Sequence, residues 1–328
     1  MKWIVTGGAG FIGKNLVIEL LKRLDNVVVV DKVPYAESGY DDIEIVQDCI
    51  DHLTYLERDL TKSRDLDFST WFSPEGGDVV VHLAAMSGIK DCSEVPLSAF
   101  YINLEATFSL LDAAADFGAK CFILASSGAV VAGSSMLSPS EISPPKPVNV
   151  YGSMKSAAEQ LCQGFSGERG LPTAALRFSN VYGPYSAHKN SAVHKFIRDA
   201  LKGRPLQIHG DGTQTRDFVF VGDVAQAIIG AGIAGLVSAR IFHVSTGVET
   251  PVLFSRMIDN EERASLYERI CYAIGDSQCD YELMDQDPGV LQASLNSEFS
   301  RKALAIGSPT PLSHGIRDTV LWYRGLED

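Results

Sequence analysis

The stretch Thr6-Gly7-Gly8-Ala9-Gly10-Phe11-Ile12-Gly13 decides how this chain is read. Its glycines satisfy both the GxxGxxG and the GxGxxG spacing. Ile4–Thr6 before it reads as a short strand, and the residues from Phe11 to about Leu24 read as an amphipathic helix. A strand that feeds a helix through such a turn needs glycine for three reasons: the tight turn, close approach to a pyrophosphate, and strand–helix packing. The helix N-terminus offers unpaired N–H groups and a positive dipole end, which suits phosphate. The turn therefore predicts a dinucleotide site at Gly7, Gly10, Phe11, Ile12 and Gly13. Asp31 closes the next apolar strand 18 residues after Gly13. An acid there accepts from ribose hydroxyls and repels a 2′-phosphate, which favours NAD over NADP. Lys32 follows it directly, and Asp59-Leu60 on a later turn is expected at the adenine edge.

Working outward, Val27–Asp31 is continuously apolar, as in a sheet buried on both faces. Val79–Leu83, Cys121–Ala125 and Ala174–Phe178 repeat the pattern, with helical stretches at Ser98–Phe117 and Ser153–Phe165. The alternation predicts an α/β fold with a doubly wound parallel sheet. After Phe178 it weakens, so residues 1–178 are expected to bind the dinucleotide. Residues 179–328 are expected mainly to form a smaller substrate-binding lobe, with segments around 217–247 returning to the sheet. Ser134–Val148 and Tyr182–Asn190 read as functional loops, and Pro251–Ala264 as an exposed insertion.

The 328 residues carry a formal charge of −13, which argues against nucleic-acid and anionic-membrane partners. It leaves room for an anionic small ligand held by local amides and arginines. Six cysteines without a CxxC pair or metal-like cluster predict reduced thiols and no metal. Met-Lys-Trp-Ile-Val enters a strand at once, and the apolar runs are too short to span a bilayer. A soluble, cytoplasmic protein is expected.

Tyr151 and Lys155 stand at i and i+4, on one face of a helix. An ammonium that close is expected to favour tyrosinate and lower the phenol pKa. The pair would then serve as general base toward an alcohol that gives up a hydride. Ser126-Ser127 leave the apolar strand Cys121–Leu124 at the carboxyl edge, where a hydroxyl could share the substrate's proton with Tyr151.

With these residues in place, the chain resembles the extended short-chain dehydrogenase/reductase family, in its nucleotide-sugar epimerase and dehydratase branch. The likeness runs through the Thr6–Gly13 turn, Asp31, Asp59-Leu60, His82-Leu83-Ala84-Ala85, Asn103, Ser126-Ser127, Tyr151-x3-Lys155, Arg177–Pro184, Gly210–Phe218 and Asp223-Val224-Ala225. It implies a Rossmann fold and NAD. It places Leu83, Ala84, Ala85, Asn103, Ser126 and Phe178, with Tyr151 and Lys155, along the cofactor. It places Ser87, Ser127, Asn180, Leu206, Gln207, His209 and Arg216 along a nucleotide sugar, with Asn180 and Arg216 on its diphosphate. It also implies a homodimer built on the helices that carry Asn103 and Tyr151.

Three departures shape the expected chemistry. Dehydratases of the branch carry a hydroxyl–Asp–Glu triplet after the central strand, and decarboxylases keep the glutamate; this chain has Ser127-Gly128-Ala129. Simple oxidation and reduction at a carbinol remains, as in 4-epimerisation of a UDP-sugar. Val130-Val131-Ala132-Gly133 is one residue out of the family's Val-Tyr-Gly register. The catalytic hydroxyl is Ser127 if the gap follows Val131, an ungapped match puts Gly128 there, and Ser126 is a third alternative. Asp287-Pro288-Gly289-Val290 stands where the family has an arginine for the diphosphate, and an acid there repels phosphate. Two other functions share these residues: a dehydrogenase or reductase that releases its cofactor, and a non-catalytic NAD-binding sensor.

Overall fold

Valines fill the strand Asn26–Asp31 because the sheet it joins is covered on both faces. The computed structural model describes residues 1–253, 264–276, 279–285 and 294–326. In chain order its strands are β1 Lys2–Thr6, β2 Asn26–Asp31, β3 Leu53–Glu57, β4 Val79–His82, β5 Cys121–Ser127, β6 Thr173–Phe178, β7 Asn180–Tyr182, β8 Leu206–His209, β9 Thr215–Arg216, β10 Phe218–Phe220, β11 Arg240–Val244, β12 Thr250–Pro251 and β13 Tyr281–Met284. Seven of them form one parallel sheet in the order β11-β6-β5-β4-β1-β2-β3. The order reverses at β1, so the glycine turn that ends β1 opens at the switch point where such sheets bind ligands.

Alternation along the strands separates two cores. Trp3, Val5, Val27, Val29, Val79 and Val81 face the helices Phe11–Lys22 and Val221–Ile233. Ile4, Val28, Val30, Val80 and Phe122 face Leu110, Leu111 and Ala158 on the other side. A third apolar cluster gathers Tyr182, Phe196, Ile197, Leu206, Ile208, Leu266, Ile270 and Ile316, around the pairs β7–β10 and β8–β13. The helix Val221–Ile233 and β11 meanwhile pack on the large sheet.

The expected helix Ser98–Phe117 is instead broken in the middle. Pro96–Phe100 and Ala106–Asp116 are α-helical, and Tyr101–Glu105 between them is a π-turn. Its wider turn carries Asn103, consistent with the use of such bulges to re-aim a side chain. Ten residues of the expected insertion, 254–263, lie outside the described residues, as does Asp287–Val290.

Candidate active site

The turn after β1 has little room for side chains. A Cβ added at Gly7, where φ is +72°, would lie 2.6 Å from the Ala84 nitrogen, and one at Gly13 would lie 2.3 Å from the Gly7 carbonyl. Gly10 caps the helix Phe11–Lys22 without a side-chain acceptor, so the first-turn amides of Phe11 and Ile12 stay free to bind phosphate. Asp31, at the end of β2, accepts from the Ala9 amide (3.0 Å) and the Val33 amide (3.1 Å), joining the acid to the turn. The buried Tyr40 hydroxyl donates to the Gly8 carbonyl at 2.7 Å from the outer side. Tyr40 carried no sequence signal, because it lies in an irregular segment.

Lys32 is exposed, and Leu60 is buried. Asp59 accepts from the Thr61 amide and hydroxyl, one turn beyond the end of β3 and beside Asp31. This arrangement of short backbone loops, open helix amides and a ribose-directed acid fits a dinucleotide.

Below the turn, Thr6 Oγ1 lies 2.7 Å from His82 Nδ1, and His82 Nε2 lies 3.0 Å from Thr107 Oγ1. Thr107 already donates to the Asn103 carbonyl at 2.8 Å, so His82 must donate to it through Nε2–H and accept at Nδ1. Burial pushes the His82 pKa down to about 3 and keeps it neutral. Asn103 is buried, and its side chain grips the Met86 backbone at both ends, 2.9 Å to the amide and 3.1 Å to the carbonyl. Leu83, Ala84 and Ala85 lead into that loop, half-buried.

The strand β5 runs further than the sequence suggested and includes both serines. Successive strand residues face opposite ways, which separates the two hydroxyls. Ser126 is turned away from the expected cofactor side. Its side chain is buried and its hydroxyl donates to Glu159 at 2.5 Å. Glu159 in turn pairs with Arg177 at 2.9 and 2.7 Å, with both side chains fully buried.

Ser127 takes the other direction. Its hydroxyl accepts from the Ala129 amide at 3.1 Å, and the side chain acts on the Tyr151 phenol in the sense that lowers its pKa. Gly152 makes the approach possible, since a Cβ there would meet the Ala129 carbonyl at 2.6 Å. Gly128, the ungapped alternative for the catalytic position, has no hydroxyl to offer.

Lys155 is buried and donates to the Ala125 carbonyl at 2.8 Å, with its ammonium 5.9 Å from the Tyr151 ring centre. The expectation that it lowers the phenol pKa is not met. Burial pushes Tyr151 up to about 12, opposed by the Ser127 hydrogen bond, and pushes Lys155 down to about 8. Desolvation of both charged forms outweighs their mutual attraction here.

Beyond β6 a cavity of about 580 Å³ opens among Asn180, Gln207, His209 and Arg216, four of the expected substrate residues. Lys195, Arg198, Arg204 and Gln214 join them and were not anticipated. The signal was present: the helix Ala192–Leu201 has Val193, Phe196 and Ile197 in the core, and Lys195 and Arg198 share another face. Arg216 donates to the Thr215 carbonyl at 2.8 Å, and burial lowers its pKa.

Leu206 is a correction. In β8 the alternation buries Leu206 and Ile208 and turns Gln207 and His209 to the cavity, so the Leu206 side chain belongs to the core. Ser87 is exposed beside Lys189, 3.2 Å from its ammonium. Phe178 is buried in the core at the end of β6. Ser127 pairs with Phe178 in the sheet, two residues before Asn180. Among the described residues no cluster could hold a metal ion and no helix is long and apolar enough to cross a membrane.

Comparison with known proteins agrees with this geometry. The family model described as the NAD dependent epimerase/dehydratase family matches residues 3–234. A dTDP-D-glucose 4,6-dehydratase of Mus musculus is 30% identical over 98% of this chain and 88% of its own length. A UDP-glucose 4-epimerase of Mycolicibacterium smegmatis is 31% identical over 99% of both chains. Among solved structures, the UDP-glucose 4-epimerase of Thermotoga maritima with UDP-glucose superposes at a TM-score of 0.85, 26% identical and covering both chains fully. The UDP-glucuronic acid 4-epimerase of Bacillus cereus with UDP-glucuronic acid and NAD gives 0.83, with 25% identity over 99% of this chain and 100% of that one. With a family match over more than two thirds of its length, the chain belongs to the NAD-dependent epimerase/dehydratase family.

Proposed function

We propose that this chain is an NAD-dependent nucleotide-sugar epimerase that inverts C4 of a UDP-sugar through a transient 4-ketone. The observation that carries this reading is that the residue whose side chain acts on the Tyr151 phenol, Ser127, is followed by Gly128 and Ala129 rather than by acids. Elimination of water needs an acid and a base beyond the redox pair, and this turn supplies neither. That weighs against dehydration despite the likeness to dTDP-D-glucose 4,6-dehydratase.

Tyr151 takes the O4 proton, and Ser127 aligns the sugar hydroxyl with the phenol. Lys155 supports the developing tyrosinate. NAD, when bound, supplies a reversible hydride acceptor. Proton and hydride leave the same carbinol and return after the ring has turned its other face, so no net redox change accumulates. Asn180 and Arg216 hold the diphosphate, and a forked guanidinium suits that task. Gln207 and His209 face the nucleotide. Gly7, Gly10, Phe11, Ile12 and Gly13 bind the dinucleotide phosphates, Asp31 and Asp59 its adenosine half, and Leu83, Ala84 and Ala85 its nicotinamide side.

We place the chain in the cytoplasm as a homodimer. All six cysteines are buried and unpaired, which suits a reducing compartment. Leu97, Phe100, Tyr101 and Phe108 are exposed on the helices around Asn103, and Phe108 meets Phe165 of the Tyr151 helix at 5.4 Å between ring centres. Such a patch suits an isologous interface.

The test is to incubate the purified, NAD-containing protein with UDP-sugars and no added cofactor, following products by NMR and mass spectrometry. A product of unchanged mass with inverted C4 is expected. Loss of water or of carbon dioxide, or NADH accumulating in step with turnover, overturns the reading.

A further inference from the structure

Lys189 is a half-buried cation beside the cavity. It sits in the segment that leads into the cavity through Asn190 and Ser191. Its ammonium reaches across to Ser87 at 3.2 Å. Ser87 follows Met86, which is fixed by Asn103 and packs in one cluster with Tyr151, Met154 and Ala129. Lys189 thus joins the cavity segment to the loop that packs against Tyr151.

The lysine is held in place. Arg198 donates to the carbonyls of Ala187 (2.7 Å) and Lys189 (2.6 Å) and to the Asn190 side chain (2.9 Å). The Lys189 amide donates to the Ser186 carbonyl at 2.8 Å. Asp91 is the acid that faces Lys189, yet no ion pair joins the two, and burial lowers the lysine pKa. A partly desolvated ammonium that makes no close ion pair with its facing acid is costly until an anion meets it.

The charge of the cavity points the same way. Lys195, Arg198 and Arg204 line it, and Asp199, the one acid among its described lining residues, is paired with Arg204 at 2.6 Å. In a protein of formal charge −13 this is a concentrated positive site. Lys189 lies outside that lining, so its ammonium can meet an anion other than the diphosphate.

We propose that Lys189, with Ser87, receives a carboxylate carried by the sugar, so that the substrate class is a nucleotide hexuronic acid rather than a neutral nucleotide hexose. This rests on the epimerase reading above. A hexuronate bears its carboxylate on the carbon next to C4, which puts the charge beside the reacting centre.

The experiment measures Kd by calorimetry on the NAD-containing Tyr151→Phe protein, using UDP, UDP-glucose and UDP-glucuronate. UDP-glucuronate is expected to bind about tenfold or more tightly than UDP-glucose, the scale of one charge-assisted hydrogen bond. In a Tyr151→Phe, Lys189→Met protein the preference should vanish, and Lys189→Arg should restore much of it. NAD content and a melting curve confirm that each variant is folded. Equal affinity for the two sugars, or a preference that survives Lys189→Met, overturns the proposal and leaves the epimerase reading standing. If neither sugar nor UDP binds to folded, NAD-containing protein, the epimerase reading falls and takes the proposal with it.

Discussion

The glycine turn and the cationic cavity both bind phosphate in this reading, but by opposite means. At Gly7–Gly13 the binding atoms are backbone amides, and every side chain but hydrogen is excluded by contacts of 2.3–2.6 Å at Gly7 and Gly13. At the cavity the binding atoms are the ends of Lys195, Arg198, Arg204 and Arg216, carried by a helix, a turn and a short strand within residues 195–216. A backbone site tolerates no substitution but is indifferent to its neighbours. A side-chain site can be retuned one charge at a time.

The reacting pair lies between these regions, and its loss should have the largest effect. Tyr151→Phe is expected to lower turnover about 10³-fold, the middle of the range for general acid–base catalysis, while retaining NAD. Turnover within tenfold of the parent would remove Tyr151 as the base. Next, Gly13→Ala tests the backbone site. Alanine is the better helix former by about 1 kcal/mol, yet overpacking against the Gly7 carbonyl costs about 1–3 kcal/mol. The clash should win, so NAD content after gel filtration and the melting temperature should both fall; an unchanged NAD content breaks the comparison.

The pH profile sharpens it. With the Tyr151 pKa up to about 12, tyrosinate is the minor form at neutrality, and each unit of rising pH increases it about tenfold. The logarithm of kcat/KM should therefore climb with a slope near one from pH 6 to 8. It should flatten as Lys155, pushed down to about 8, loses its charge. A flat profile over that range would show that no proton leaves through Tyr151.

On the side-chain site, Arg216→Met should raise KM about 10–100-fold, the value of one charge-assisted bond of about 1.5–3 kcal/mol, with a smaller change in kcat. Arg204 is half exposed and already paired with Asp199, so Arg204→Met should change KM by less than about fivefold. An Arg204 effect as large as that of Arg216 would contradict this ranking, which steady-state kinetics on both variants can check.

The same contrast governs what could be read from the sequence. The turn was legible because its requirements are local: a strand, three glycines, a helix and an acid at a fixed distance. Tyr151 and Lys155 were legible as a pair because helix spacing is local too. Their protonation was not, since burial and the Ala125 carbonyl come from the packed β5. Choosing between Ser126 and Ser127 required the end of β5, and strand ends leave little trace in a sequence. Leu206 was misplaced because a four-residue strand does not declare which face is buried. Lys195, Arg198 and Arg204 read as surface charge until the fold turned them to one cavity. The π-turn at Tyr101–Glu105 had no signature at all, because ordinary helix formers surround it.

Asp217 shows how the cavity is tied to the large sheet. This buried carboxylate accepts from the Thr246 amide and hydroxyl (2.9 and 2.7 Å), the Gly247 amide (3.0 Å), the Leu295 amide (3.4 Å) and the Ser179 hydroxyl (3.4 Å). It gathers the chain leaving β6, the chain leaving β11 and a residue from near the C-terminus, and it stands next to Arg216 in sequence. For a lineage drifting toward new sugars, this makes an uneven landscape. The cations at 189, 195 and 204 can be traded singly, whereas Arg216 is bound to a neighbour whose loss would unfasten the sheet's exit. Changes in sugar preference should therefore accumulate on the loop and helix side of the cavity, with the Arg216-Asp217 side acting as the fixed hinge of its evolution.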